Sequence, residues 1–259
     1  MPTGMPNGMR NLMHRLAALF LLLAPPAVAA GAPDLQTCDV APQFVMPQKP
    51  LGPLKAAIAA GGPVEILAVG SGATMGANGE QPDNAFPYRM LDALRAALPR
   101  VAFDLTVRGG RGLTAEEMLP LVKAQVEQTP ARLVLWQTGT VEAIRGLRPD
   151  RMRQTLREGL EVIHAAGGSL VLLDPQFTRA LRANTDVEPY ETELQQVATL
   201  PGAALFHRYE LTRYWVLQDR IDPERASKDA REAELARLNV CLGQALARYL
   251  LNGAGITAP

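Results

Sequence analysis

The residues that could do chemistry in this chain lie in short loops behind apolar runs. The first loop reads Val69-Gly70-Ser71-Gly72-Ala73-Thr74-Met75-Gly76. A glycine-rich turn of this kind can present backbone N–H groups to an oxyanion at the start of a helix. It lacks the Gly-Lys-Ser/Thr of a nucleotide phosphate loop, and its glycine spacing does not fit a dinucleotide fingerprint. Ser71 is the hydroxyl it offers. Arg108-Gly109-Gly110-Arg111-Gly112 is a second set of backbone donors, and Thr138-Gly139-Thr140-Val141 and Asp174-Pro175-Gln176 follow further runs. Late in the chain, Asp229 and Glu232 supply carboxylates. Acyl transfer needs a hydroxyl, a base, a group that orients the base, and donors for the developing oxyanion. Ser71 with a carboxylate is the pairing on offer, and Glu232 is a base only if an apolar pocket raises its pKa. Histidine is the usual base near neutral pH, but none follows His207. His164 falls in an amphipathic pattern and His207 between Phe206 and Arg208, places of packing or surface residues. Read without any site, Ser71 is a turn or helix-cap hydroxyl, and Asp229 and Glu232 are charges favoured at the start of a helix. The histidines and two distant cysteines show no metal-ligand spacing, so neither metal nor other cofactor is expected.

Taken in order, these loops resemble the sequence blocks of the SGNH (GDSL-type) hydrolases, in particular an exported bacterial subgroup. That family carries Gly-Asp-Ser-x-Thr after its first strand, and the serine is its nucleophile. Here the block is Gly70-Ser71-Gly72-Ala73-Thr74, with Ser71 at the aspartate position and Gly72 at the serine position. Gly112 best matches the family's oxyanion-hole glycine after the second strand. Gly139-Thr140-Val141 matches its Gly-x-Asn block, with Val141 in place of asparagine. The closing Asp-x-x-His block finds Asp229 and then Glu232, or Ala233 on a one-residue shift. The resemblance covers roughly residues 64–251. It implies a cleft formed by Gly70, Ser71, Gly72, Gly112, Gly139, Thr140 and Val141, and a ligand such as an acylated glycan, a small ester or a cell-envelope component. Gly72 has no side chain to attack with, Val141 has no amide to donate, and no imidazole is present to shuttle a proton. The expectation is therefore a degenerate domain that binds and does not cleave. The alternative is an active serine esterase with relocated residues, Ser71 working with a carboxylate. A structural envelope protein with a filled cleft is a third reading.

These loops need a frame. Buried-strand patterns at 64–69, 101–107, 133–137, 169–173 and 203–206 alternate with helical spacing at 86–98, from Thr114 onward, at 149–166, 208–217 and roughly 230–251. Thr114 with Glu117 matches a capping box. Strand and helix in alternation predict an α/β fold, a flavodoxin-like three-layer sandwich whose five-stranded parallel sheet carries helices on both faces. Ligands of such sheets bind beyond the carboxyl ends of the strands.

The 259 residues divide into a signal peptide over 1–30, an extended Pro-rich arm over 31–63, the hydrolase-like domain over 64–251, and a frayed tail over 252–259. The leader has Arg10 and Arg15, an apolar stretch from Leu16 to Ala24, and Ala27-Val28-Ala29 as a cleavage pattern. The stretch is short for a membrane span, though an N-terminal anchor helix is the competing reading. Export to the periplasm or medium, with no membrane attachment after cleavage, makes a Cys38–Cys241 disulfide plausible, against two buried free thiols. With 26 basic and 26 acidic residues the formal net charge is zero, which gives no electrostatic case for nucleic acid. The oligomeric state is not legible.

Overall fold

The computed structural model describes residues 38–76 and 82–256. The expected leader lies outside the described residues. The predicted sheet is present: β1 (Val64–Gly70), β2 (Phe103–Gly109), β3 (Leu133–Gln137), β4 (Ser169–Leu173) and β5 (Ala203–Phe206). All four pairings are parallel, in the order β2-β1-β3-β4-β5. The order reverses between β1 and β3, the place where open parallel sheets leave a crevice.

Side chains alternate across each strand and feed two cores. Val64, Ile66 and Ala68 of β1 join Leu133 and Leu135 of β3 in one core, and Leu67 and Val69 join Val134 and Trp136 in the other. The first core is covered by α1 (Gly52–Ala60), α3 (Phe86–Ala97), α9 (Arg208–Leu217) and α10 (Arg231–Gly253), and the second by α4 (Ala115–Gln128), α6 (Pro149–Ala165) and α8 (Glu188–Ala198). Two short helices, α2 (Gly72–Met75) and α5 (Thr140–Arg145), follow β1 and β3, and α7 (Arg179–Asn184) follows β4. The Thr114 capping box forms as the sequence implies: Thr114 Oγ1 accepts from the Glu117 amide at 3.3 Å, and the Glu117 carboxylate accepts from the Thr114 amide at 2.8 Å.

Cys38 and Cys241 form a disulfide, with Cα atoms 5.1 Å apart across 203 residues of sequence. It ties the start of the described chain to the middle of α10, and a crosslink closing so long a loop contributes up to ~4–5 kcal/mol in the chain-entropy view.

The arm and the tail differ from the sequence reading. Residues 52–60 are helical, with Pro53 in the first turn and Gly61 at φ 69° ending the helix. An Ala-rich stretch with proline at its start and glycine after its end satisfies both helix rules. At the other end, α10 runs to Gly253, and Ala254 is buried because Leu51 and Pro47 pack against that turn. Strand β2 begins two residues later than expected, at Phe103.

Candidate functional site

An open cleft of about 730 Å³ lies at the carboxyl ends of the strands, within the usual size of a small-ligand site. One close backbone approach and one glycine turn shape the loops that lead into it. A Cβ at Gly109 would sit 1.9 Å from the Gly70 carbonyl oxygen, so the tips of β1 and β2 can meet only with glycine there. Gly112, at φ 76°, then turns the following loop toward the cleft.

Ser71 lies at the tip of β1 and is 9% exposed. Its backbone amide and its hydroxyl both donate to Gln137 Oε1, each at 3.1 Å. Thr74 Oγ1 donates to the same oxygen at 3.1 Å. Because the Ser71 amide can only donate, this end of the Gln137 carboxamide must be the oxygen. Nε2 is then the end of that side chain with protons to give, and Gln137 lines the cleft. The Ser71 proton is held by a carboxamide oxygen, which is too weak a base to take it.

Of the positions matched to family blocks, Ser71, Gly72, Gly112 and Thr140 line the cleft, and Gly70, Gly139 and Val141 do not. Gly139, at φ 94°, donates its amide to the buried carboxylate of Glu142 at 2.9 Å. Glu142 also accepts from Thr138 Oγ1 at 2.9 Å and from the Ala115 amide at 2.5 Å, which joins the β3 loop to the start of α4. Asp229 and Glu232 are exposed and outside the cleft lining. Asp229 precedes α10 and Glu232 lies in its first turn, so neither is brought to Ser71. The part of α10 that reaches the cleft is one turn further on: Leu235, Leu238 and Asn239.

Ionisable groups do gather at the tips of β4 and β5. Asp174 is buried; its Oδ1 accepts from the Tyr209 amide at 2.8 Å and its Oδ2 lies 3.7 Å from His207 Nδ1. Burial pushes its carboxyl above the usual range, against the pull of His207 and Tyr209. His207 is raised in turn, chiefly by the Asp174 carboxylate beside it. Glu191, on α8, is pushed up to about 7, mostly by burial and then by Asp174 and Glu210. Neither Asp174, His207 nor Glu191 lines the cleft. Arg208, the first residue of α9, does line it, although it is 1% exposed. Among the described residues no group of three or more His, Cys, Asp or Glu is placed to hold a metal ion.

The lining also carries large apolar side chains. Ile144 and Leu235 are exposed large hydrophobics beside Leu181 and Leu238. A smaller hollow of about 420 Å³ shares Gln176, Thr178, Leu235 and Leu238 with the cleft and continues past Phe177, Val216 and Ile221. The cleft is therefore open, not filled by side chains.

A family model described as non-GDSL lipase-like matches residues 37–256. Comparison with curated proteins gave no match. Among solved structures, a two-domain esterase active on acetylated mannans, co-crystallized with mannopentaose, aligns with a TM-score of 0.65 at 13% identity, covering 82% of this chain and 56% of that one. The chain thus spans little more than half of that esterase's length. A protein of the G-D-S-L lipolytic family from Desulfitobacterium hafniense aligns with a TM-score of 0.56 at 14% identity, covering 72% and 99% of the two chains. An acetyl-xylooligosaccharide esterase from Geobacillus aligns with a TM-score of 0.56 at 15% identity, covering 74% and 94%. At these identities the likeness is one of fold.

Proposed function

The chain belongs to the non-GDSL lipase-like family, with the SGNH-type fold, and from that premise we propose that it is an exported, catalytically silent member whose cleft binds the acyl-bearing part of a glycan or small ester. The observation that carries this reading is the Ser71–Gln137 pair. The hydroxyl at the tip of β1 gives its proton to a carboxamide oxygen, and the position where the family keeps its serine is Gly72. Nothing that accepts a proton near neutral pH lines the described cleft, so the acid–base half of the reaction has no agent.

What remains suits binding. Gln137 and Gly112 line the cleft, and a carbonyl oxygen could accept from the Gln137 carboxamide nitrogen or the Gly112 amide. Ile144, Leu181, Leu235 and Leu238 are the large apolar residues of the lining, against which an acyl chain would lose its contact with water. A donor without a nucleophile holds an ester and leaves it intact. The similar structures that act on acetylated mannan or acetyl-xylooligosaccharide support a sugar as the carrier of the acyl group. The disulfide supports an oxidising compartment, periplasmic or extracellular.

Fluorophosphonate labelling of the purified protein, beside a panel of p-nitrophenyl esters and calorimetric titration with O-acetylated oligosaccharides, tests this. The expected result is binding without labelling and without turnover. Ester hydrolysis abolished by Ser71→Ala would overturn it in favour of the relocated esterase.

A further inference from the structure

The cleft wall holds a cation that acyl binding does not use. A guanidinium has five N–H donors in a planar fork. Among the described residues the Arg208 fork makes one hydrogen bond, from Nε to the Asp174 carbonyl oxygen at 3.0 Å. Nη1 is buried and has no partner. One side of the fork faces the Phe86 ring at 5.8 Å, which covers it without neutralising it. The Asp174 carboxylate is turned to the Tyr209 amide and to His207; its charge favours the guanidinium from nearby, but among the described residues no carboxylate pairs with Arg208 directly.

Burial lowers the Arg208 pKa to about 10, which still leaves it charged at neutral pH. Buried arginines are ordinarily paired, because desolvation is otherwise uncompensated. The described lining adds Arg111 as a second basic residue and contains no Asp or Glu. Gln137, Gln176 and Asn239 bring further amide donors to the same cleft. A neutral acyl sugar can accept from these donors, but it leaves the guanidinium charge uncompensated.

We infer that the ligand of this cleft carries an oxyanion, a carboxylate or a phosphate ester on the acylated sugar, and that Arg208 selects for it. The inference rests on the acyl-sugar reading above and adds the charge. The planar fork matches both oxyanions, so the two are separated by experiment.

The test is calorimetric titration of the unaltered protein with four probes: an O-acetylated trigalacturonide, the same compound with its carboxylates methyl-esterified, acetylated glucose, and acetylated glucose 6-phosphate. At least tenfold tighter binding is expected within one pair, the free acid over its ester or the sugar phosphate over the sugar, and the pair that shows it identifies the oxyanion. Arg208→Met keeps the length of the side chain and removes its charge. It is expected to bring the favoured charged probe down to the affinity of its neutral partner while leaving that partner within threefold. Equal affinities within both pairs on the unaltered protein would overturn the charge inference, whatever the variant does, and would leave the acyl-sugar reading standing. Absence of binding by all four probes would overturn the acyl-sugar reading and this inference with it.

Discussion

The tips of β1 and β3 and the tips of β4 and β5 lie on the same edge of one sheet but are built on opposite principles. Around Ser71, at the tips of β1 and β3, the polar groups that meet are neutral and matched: one carboxamide oxygen accepts from an amide and two hydroxyls, and the buried Glu142 carboxylate behind β3 is taken up by Thr138, Gly139 and Ala115. At β4 and β5 they are ionisable and incompletely matched. Asp174 is buried, Glu191 keeps one carboxylate oxygen buried without a partner, and Arg208 keeps a guanidinium nitrogen in the same state. A working esterase needs a hydroxyl and a proton acceptor side by side. Here the hydroxyl sits against a carboxamide, while Asp174, His207 and Glu191 stand at the other pair of tips and Glu142 is occupied by three donors, all of them outside the cleft lining. The first half should hold the fold together, and the second should cost stability that only a ligand can recover.

The sharpest way to break this contrast is Gln137→Leu. It removes the shared acceptor of three donors inside a buried loop, and each buried group left unmatched costs roughly 1–3 kcal/mol. Allowing for rearrangement of the two hydroxyls, a loss of about 3 kcal/mol is expected in urea unfolding. A loss under about 1 kcal/mol would mean that the loop is held by something else. Arg208→Met probes the other half with the opposite expectation. Removing one member of a matched buried ion pair costs about 3–5 kcal/mol, but replacing an unmatched buried ion by an apolar side chain of similar size is often neutral or stabilising. The expected change runs from none to a gain of about 2 kcal/mol, read in the same urea titration. A loss like that of Gln137→Leu would show that the guanidinium is matched after all.

Glu191→Gln gives a smaller change with a defined pH dependence. The carboxyl titrates at about 7 in the folded chain, against 4.5 when solvated. Between those values the folded form binds more protons than the unfolded form, so stability falls as pH rises from about 4.5 to 7. The penalty is complete above pH 7 and absent below about 4.5. Because the side chain is partly exposed, the full shift overstates the cost, and about 1 kcal/mol is a fair discount. The variant should melt higher than the parent at pH 8 and level with it at pH 4. His207, raised by Asp174, pulls the same way: the stability it contributes is present at low pH and is lost above its raised pKa. Some slope should therefore survive in Glu191→Gln, and a slope unchanged from the parent would remove Glu191 as its source.

The frame of both halves was legible because it rests on periodicity. Five apolar runs of strand length, separated by amphipathic spacing, left one reasonable architecture, and the Thr114–Glu117 spacing fixed one helix start. The helix α8 is not legible in the same way, although Tyr190, Leu194 and Val197 recur at its buried positions; three apolar residues among charges are a weak signal. The contacts that distinguish the two halves were not legible. Gln137 ends an apolar strand and carries no periodic mark of the oxygen it supplies. Arg208 reads as the first residue of a helix, and nothing in its neighbours says that it is buried. Asp229 and Glu232 were placed near Ser71 by block order, which fixes position along the chain and not distance across a cleft.

That last distinction gives the smallest expected effect and the cleanest control. Asp229 and Glu232 are exposed, and the cleft is reached by Leu235, Leu238 and Asn239 instead. The double substitution Asp229→Ala and Glu232→Ala takes one charge from just before α10 and one from its first turn. Exposed changes of this kind move the melting temperature by no more than about 2 °C. Affinity for an O-acetylated oligosaccharide should stay within twofold of the parent, because neither carboxylate reaches the ligand. A tenfold loss of affinity with an unchanged melting temperature would bring this end of α10 back to the cleft. The proton acceptors would then no longer be confined to the far side of the sheet edge, and the separation between a neutral holding half and a charged half would fail at the point where catalysis would need it to fail.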